Sequence, residues 1–240
     1  SIHFMLNDGT RGDTVQKYLG VDPGTIRFRV DGVDKYKFKS LPDRDSCATR
    51  LNLPIEKEDF ICLCLSNHNA GYKRLERAVR AVGLLGKNHQ NIKLILVGSG
   101  SNTSALKALA DEIGHQNIIF LPKLKYQDIP LILKVADVYL NTNDVSNLSH
   151  PILEAMTCGT AIVSMDDGSL DGIVKHGETG LLVDPQKCVE LLPEAIETLF
   201  YDRELLKKLG NSGQKWADES FYTWDEKNRM ELDEIRSLLN

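Results

Sequence analysis

The residues best suited to chemistry lie in one block in the second half of the chain. A polar loop over residues 141–149 leads into His150-Pro-Ile-Leu-Glu154-Ala-Met-Thr-Cys-Gly159. The proline in the first turn and the glycine after the last residue predict a helix from His150 to Cys158. Backbone N–H groups at the start of such a helix attract anions, and the Glu154 carboxylate one turn later can accept hydrogen bonds from hydroxyl groups. Phosphate and hydroxyl recognition side by side is typical of a pocket for a nucleoside diphosphate.

The elements that must position this block alternate between strands and helices from Phe60 onward. The strand segments are apolar on both faces, as covered parallel strands are; they are Phe60–Leu65, Ile92–Val97, Asn117–Leu121, Val138–Asn141, Ala161–Ser164 and Leu181–Val183. Between them, apolar residues recur with a period near 3.6, as in Lys73–Leu85. This alternation predicts an α/β fold, a Rossmann-like doubly wound parallel sheet with a terminal helical segment. Ligands of such sheets bind at the carboxyl ends of the strands, near the switch point.

Composition excludes several classes of protein. The net charge of −5 argues against a nucleic-acid partner, which would require a basic excess. No apolar run approaches the roughly 20 residues that span a bilayer, and the N-terminus has no signal-peptide pattern. The five cysteines lack disulfide spacing. Cys62 and Cys64 alternate with leucines and are interpreted as core residues. A cytoplasmic location is expected.

Several blocks, taken in order, resemble the C-terminal, donor-binding domain of retaining glycosyltransferases of the GT-B fold, group 1 (family 4). The blocks are Asp31-Gly-Val-Asp34, Ser66-Asn67 with Lys73-Arg74, Val97-Gly98-Ser-Gly100, Ser149–Gly159 and His176-Gly-Glu-Thr-Gly-Leu-Leu-Val183. Each block is weak evidence alone, whereas all of them in this order are strong evidence. The resemblance implies transfer of a glycosyl group from a nucleotide-diphosphate sugar to an acceptor that is a glycan, a lipid or a protein.

The resemblance also implies roles for individual residues. Lys73 and Glu154 are the expected catalytic residues: Lys73 stabilises the leaving phosphate, and Glu154 accepts hydrogen bonds from the ribose. The expected donor-binding residues are Asn67, His68, Lys73, Gly98, Lys123, Leu124, Ser146, Ser149, His150, Pro151, Ile152 and Glu154. Main-chain groups at Lys123 and Leu124 would meet the base. No metal or cofactor is expected, because the lysine and the helix start do the work of a cation.

The resemblance divides the chain into three parts. Residues 1–45 are interpreted as the remnant of an N-terminal acceptor domain and a linker, with a strand, a helix over 10–19 and a second strand. Residues 46–222 form the nucleotide-sugar-binding domain, and 223–240 a helix that crosses back. The stretch 35–57 lacks a sustained apolar period and is predicted to be linker or loop. We expect the chain to be a domain of a longer protein, whose acceptor domain is its partner and carries any membrane attachment.

Two positions depart from the family pattern. Ser146 stands where the family has a glutamate eight residues before Glu154, and Asn67 replaces a phosphate-binding arginine. The lost charge-assisted contact would cost about 1.5–3 kcal/mol. Asp144 could stand in for the missing carboxylate, and Lys73 remains, so the pocket is weakened rather than erased.

Alternatives remain open at this stage. Glu154 could be a structural carboxylate, His150 a helix cap and Gly98 a tight-turn residue. The two departures allow a second function, a catalytically degenerate nucleotide-sugar-binding or regulatory module. A sugar-nucleotide epimerase would need a second domain with carboxylates in the cleft. A receiver domain would need an acidic cluster, and a dinucleotide-binding domain would need Gly-x-Gly-x-x-Gly after the first strand; neither pattern is present.

Overall fold

The chain begins with a small two-stranded sheet. In the computed structural model, which describes residues 2–6, 12–69, 71–114, 117–145, 148–170 and 172–239, strand β1 (His3–Leu6) is followed by helix α1 (Gly12–Tyr18) and strand β2 (Ile26–Arg29). The two strands pair in parallel, with His3 opposite Ile26 and Leu6 opposite Arg29. The helix predicted to begin at Thr10 begins at Gly12 within the described residues.

Two short helices follow where the sequence predicts a linker. Helix α2 (Lys35–Lys39) buries Phe38, and helix α3 (Arg44–Arg50) buries Cys47. Asp43 caps α3 through its side chain, which accepts a hydrogen bond from the Ser46 N–H. The prediction of a loop over 35–57 is therefore wrong in these two places. Helices of five and seven residues contain too few turns to show a period.

Six parallel strands form the central sheet, and most of them are joined by helices. The elements in chain order are β3 (Phe60–Leu65), α4 (Glu76–Leu85), β4 (Ile92–Val97), α5 (Thr103–Ile113), β5 (Ile118–Leu121), α6 (Ile129–Val135), β6 (Val138–Asn141), α7 (His150–Cys158), β7 (Ala161–Met165), β8 (Leu181–Val183), α8 (Cys188–Tyr201), α9 (Arg203–Ser220) and α10 (Trp224–Ser237). The described residues between β7 and β8 contain turns and no helix, so the predicted alternation is interrupted there. Helix α4 begins at Glu76, three residues later than the sequence predicts.

Each face of the sheet packs against its own layer of helices. On β3, Phe60, Cys62 and Cys64 face a core shared with α4, α5 and α8. Ile61, Leu63 and Leu65 face the other core, which includes residues of α2, α3, α6 and α7. The shared face of Cys62 and Cys64 and their burial confirm that they are core residues. Strands covered on both faces have no polar side, which explains their continuous apolar runs.

The strand order places a switch point at the centre of the sheet. The order is β5-β4-β3-β6-β7-β8, so the chain moves outward from β3 in one direction and then returns to β6 beside it. At such a point the connections leave neighbouring strands on opposite faces, which opens a crevice at their carboxyl ends. The loops after β3 and β6 therefore meet at the crevice.

The last helix returns to the first strands. Glu234 of α10 accepts a hydrogen bond from Arg27 at 2.8 Å and forms an ion pair with Arg29 at 2.9 Å. A capping box between Thr223 and Glu226 fixes the start of α10. A Cβ atom on Gly32 would lie 2.8 Å from the Cα of Trp224, so this close approach requires glycine. None of the helices in the described ranges is long and apolar enough to cross a bilayer.

Candidate functional site

A cavity of about 370 Å³ lies at the switch point. The end of β3 contributes Asn67, the turn after β4 contributes Gly98, and the segment after β5 contributes Lys123 and Leu124. The first turn of α7 closes the cavity, and Glu154 is among its lining residues. Six residues expected from sequence to bind one ligand, with Pro151 of α7 as the sixth, are therefore brought together from four separate segments.

A second cavity of about 140 Å³ adjoins the first and shares Asn67 and Pro151 with it. Lys73 and Ser149 line this smaller cavity, together with polar residues that follow β6. The carboxylate and the ammonium group thus belong to adjacent cavities that share a wall. The larger cavity lies within the range of about 300–1,000 Å³ that is usual for ligand pockets.

Glu154 is a buried carboxylate directed at a cavity. Glu154 lies in helix α7, three residues after Pro151, and is 7% exposed. Burial raises the pKa of this carboxyl to about 7, although the positive charge of Lys37 opposes the shift. Within the described ranges, no hydrogen bond or ion pair engages its carboxylate. A structural carboxylate would have such a partner, so the cavity is where a partner can bind.

Lys73 is held by contacts between the loop after β3 and the loop after β6. The hydroxyl of Thr142 donates to the Lys73 carbonyl at 3.0 Å, and the N–H of Asp144 donates to the Tyr72 carbonyl at 2.7 Å. Arg77 of α4 reaches across to the same loop, where it binds the Thr142 carbonyl at 2.9 Å and the Asp144 carboxylate at 2.6 Å. The Lys73 ammonium group itself lies 4.6 Å from the centre of the Tyr72 ring.

The same contacts engage the side chain of Asp144. Its carboxylate pairs with Arg77 and lies 3.7 Å from Arg74. Asp144 therefore ties two loops together, which does not support the expectation that it replaces the missing family glutamate. Ser146, the position of that glutamate, lies outside the described residues.

Gly98 is required by the backbone as well as by the cavity. Its φ of 140° lies in a region that only glycine adopts readily, and a Cβ atom would overlap the carbonyl oxygen of Ser66. The N–H of Gly98 donates to the Leu121 carbonyl at 3.0 Å. The tight-turn interpretation of Gly98 is therefore confirmed, and its contact with a ligand stays a prediction.

His68 lies beneath the site rather than in it. The side chain is 1% exposed, and Nδ1 is 3.2 Å from the Thr103 hydroxyl. The N–H of His68 donates to the Ser99 carbonyl, which turns the ring under the loop that follows β4. Burial lowers the pKa of the imidazole. His68 lines neither cavity, so the structure does not support the predicted contact with the donor.

The start of α7 offers fewer donors than the sequence suggests. Pro151 has no N–H, and the Ile152 N–H donates to the Ser149 carbonyl at 2.9 Å. The Ile152 side chain is fully buried. The ring of His150 turns away and stacks on Trp224, with 5.9 Å between centroids. An anion at this helix start would therefore meet the N–H groups of Ser149 and His150.

His150 has other partners. Its Nε2 atom lies 3.1 Å from the Asp31 carboxylate, in the turn that follows β2. The side chain thus links α7 to the N-terminal segment and to α10. These contacts support neither predicted role of its side chain, phosphate contact or helix cap. The partners could not be predicted from the motif, because Trp224 and Asp31 are distant from His150 in sequence.

Two residues at the site escape a motif-based search. Tyr126 lines the larger cavity, and Lys37 of α2 lies over its ring with 3.8 Å from Nζ to the ring centre. Phe38 anchors α2 by packing edge-on against the same ring at 6.3 Å. The one available signal was a single phenylalanine among three lysines in residues 35–39, which suggests one buried side chain.

Comparisons with known proteins show the family of this chain. The family model of "Glycosyl transferases group 1" matches residues 49–216. An uncharacterized glycosyltransferase of Methanocaldococcus jannaschii is 30% identical over 170 residues, which are 69% of this chain and 43% of that protein. A GDP-mannose-dependent monoacylated alpha-(1-6)-phosphatidylinositol monomannoside mannosyltransferase of Corynebacterium glutamicum is 30% identical over 183 residues, 72% of this chain and 47% of that protein. The chain thus spans less than half the length of these two relatives.

A solved structure shows the same fold. The structure of Anabaena HepE in complex with UDP-glucose matches 97% of this chain and 63% of its own, with a TM-score of 0.82 and 21% identity. The Rossmann-like sheet with its helical end, which the sequence predicts, is confirmed. The resemblance that the sequence motifs carry is confirmed as well, and the chain belongs to the group 1 glycosyl transferases of the GT-B fold.

Proposed function

We propose that this chain is the donor-binding part of a retaining glycosyltransferase that uses a nucleotide-diphosphate sugar. The observation that carries the proposal is the placement of a buried carboxylate without a partner among the described residues, Glu154, and a cation, Lys73, on adjacent cavities at the switch point. The related proteins named above include one that is GDP-mannose-dependent and one solved with UDP-glucose, which supports the same class of donor.

The two cavities suggest how a donor would lie. Glu154 would accept hydrogen bonds from the ribose hydroxyls in the larger cavity, and main-chain groups at Lys123 and Leu124 would meet the base. The diphosphate would extend into the smaller cavity, where Lys73 and the N–H groups of Ser149 and His150 provide positive potential. Asn67, on the wall between the cavities, can donate a hydrogen bond to the diphosphate.

The same arrangement would lower the barrier to transfer. Departure of the nucleoside diphosphate leaves positive charge on the anomeric carbon and adds negative charge to the leaving phosphate. Preorganised donors aimed at that phosphate stabilise the transition state more than the ground state. Lys73 supplies a charge at this point, so the reaction would need no metal ion. The acceptor would bind to the N-terminal domain of a longer protein.

The proposal is tested by calorimetric titration of the chain with UDP, GDP, UDP-glucose and GDP-mannose. We expect saturable binding to nucleotides of one base, weakened by about tenfold or more in Glu154→Gln and Lys73→Met. Glu190→Gln and Lys207→Met remove exposed groups of the same types on α8 and α9 and should leave binding unchanged. Binding that neither site variant weakens would show that the nucleotide lies elsewhere.

A degenerate binding module is a second candidate, favoured by Asn67 and by the engagement of Asp144 with Arg77. The two functions differ in turnover rather than in binding. A chain joined to its acceptor domain should release nucleoside diphosphate from a donor that it binds if it is a transferase. Binding with no release in the presence of acceptor glycans, lipids and proteins would favour the module.

A further inference from the structure

The short helix α2 packs against Tyr126, a residue that lines the larger cavity. Phe38 is 1% exposed and holds the helix in the core shared with α6 and α7. The neighbouring Lys37 places its ammonium group 3.8 Å from the centre of the Tyr126 ring, and Tyr126 lines the cavity that contains Glu154. A lysine from outside the sheet thus lies over a ring that lines the same cavity as the buried carboxylate.

The other two lysines of α2 face a different helix. Lys35 donates a hydrogen bond to the carbonyl of Asp218 at 3.0 Å, and Lys39 forms an ion pair with the carboxylate of Asp218 at 2.6 Å. Lys37 is therefore distinguished from its neighbours by direction as well as by contact. Lys35 and Lys39 provide matched positions for comparison.

The groups around Glu154 differ in charge. Tyr126, Tyr139 and Cys158 face it, and burial raises the pKa of all three, so they remain neutral near pH 7. Two lysines lie at this cavity: Lys123 lines it, and the positive charge of Lys37 opposes the effect of burial on the pKa of Glu154. An ammonium group near a carboxylate in a cavity wall favours the ionised carboxylate.

We propose that Lys37 is a positioning residue of the nucleotide site: its ammonium group, held on the ring of Tyr126 at the wall of the larger cavity, acts electrostatically on the Glu154 carboxylate so that the carboxylate can accept both ribose hydroxyls. The proposal rests on the proposed function, since it takes a ribose as the partner of Glu154. Because an ionised carboxylate offers acceptors only, it can bind two hydroxyl donors at once, whereas a protonated one presents a donor of its own.

The first test needs no ligand. The side-chain carboxyl of Glu154 is followed against pH by ¹³C NMR in the wild-type chain, Lys37→Met, Lys37→Arg and Lys35→Met, with Glu154→Gln to assign the signal. We expect the midpoint to move to higher pH in Lys37→Met and to stay in place in Lys37→Arg and Lys35→Met. A midpoint that Lys37→Met leaves unchanged would overturn the proposal.

The second test measures binding of UDP-glucose and GDP-mannose at pH 6.5 and 8.5. Sugar nucleotides are used because their diphosphate is esterified at both ends and lacks the phosphate ionisation near pH 6. Lys37→Met should bind roughly two- to threefold more weakly than wild type at pH 6.5 and equally at pH 8.5. Lys37→Arg should restore the wild-type profile.

Other outcomes separate the proposed role of Lys37 from the proposed function of the chain. An equal loss at both pH values would mean that Lys37 contacts the ligand directly, which contradicts a role through Glu154. Absence of binding by the wild-type chain would overturn the proposed function and the ribose role together. The NMR midpoint would still decide whether Lys37 acts on Glu154.

Discussion

Glu154 should lower the stability of the ligand-free fold near neutral pH. The pKa of this carboxyl is about 7 in the folded chain against a reference value of 4.5. Between these two values the folded state binds more protons than the unfolded state, so the free energy of unfolding falls as pH rises from about 4.5 to 7. Ionisation of this buried carboxyl therefore lowers the stability of the ligand-free chain.

Removing the charge should reverse that cost. We expect Glu154→Gln to raise the free energy of unfolding by about 1–3 kcal/mol at pH 8 and to have little effect at pH 5. Urea unfolding at the two pH values measures the difference, and the exposed Glu190→Gln is the control. Equal destabilisation by Glu154→Gln at both pH values would contradict the assignment of a desolvated carboxylate.

Asn67 offers a second residue-scale prediction. Its side chain is exposed and lines both cavities, where an arginine would add a charge-assisted contact to a diphosphate. Asn67→Arg should therefore tighten binding of UDP or GDP by about tenfold, an increment of about 1.4 kcal/mol. Isothermal calorimetry at fixed ionic strength measures the change.

The control for Asn67→Arg is Asn88→Arg, which adds the same charge on an exposed turn that lines neither cavity. If both substitutions tighten binding equally, the gain comes from net charge rather than from the site. No gain in Asn67→Arg alone would show that the diphosphate does not pass this wall.

At the scale of elements, α4 fixes the loop that presents Lys73. Arg77 contacts the loop after β6, and Thr142 in turn holds the Lys73 carbonyl. Arg77→Met should weaken binding of a nucleoside diphosphate about three- to tenfold, since the ammonium group would lose its fixed position. Lys73→Met combined with Arg77→Met should bind no more weakly than Lys73→Met alone.

The double-mutant cycle of Lys73→Met and Arg77→Met distinguishes positioning of Lys73 by Arg77 from a direct contact of Arg77 with the ligand. Independent contacts of Arg77 and Lys73 with the ligand would give additive losses. Arg80→Met, one turn along α4 on an exposed position, is the control and should bind as the wild-type chain does. Urea unfolding of each variant checks that the fold is retained.

The sequence predicted the strands better than their surroundings. Four strands of the central sheet begin and end where their apolar runs do, because both faces of these strands are buried. The helices α2 and α3 could not be predicted, since each buries only one side chain and forms through contacts with α6 and α7.

At the site, the sequence could not predict the directions in which side chains point. Glu154, Lys73 and Gly98 line the two cavities at the switch point, as the fold class predicts for residues near the carboxyl ends of strands. His68 and His150 belong to the same motifs but turn toward Thr103 and Trp224. Those partners are determined by tertiary packing, which spacing along the chain does not record.

On the scale of the whole molecule, the two ends of the chain form one unit. Glu234 connects α10 to β2 through Arg27 and Arg29, and its side chain is 28% exposed. We expect Glu234→Gln to speed amide hydrogen exchange across α10 while exchange in the central sheet stays unchanged. Hydrogen exchange with mass spectrometry measures both regions.

The control for Glu234→Gln is Asp233→Asn, because Asp233 forms a local ion pair with Arg236 on the exposed side of the same helix. Faster exchange in both variants would indicate a general loss of helix stability. Unchanged exchange in Glu234→Gln would show that apolar contacts alone hold α10 in place.

The switch point also has a consequence for synthesis. Strand β6 pairs beside β3 although β4 and β5 come between them in the chain, and the contact that holds Lys73 joins residues 69 positions apart. The two halves of the crevice therefore emerge from the ribosome at different times, and such long-range pairing is slow. Nucleotide binding of the kind proposed would therefore require that α7 has been made and docked. In a translation reaction, the time at which nucleotide binding begins would then show when the central sheet is complete.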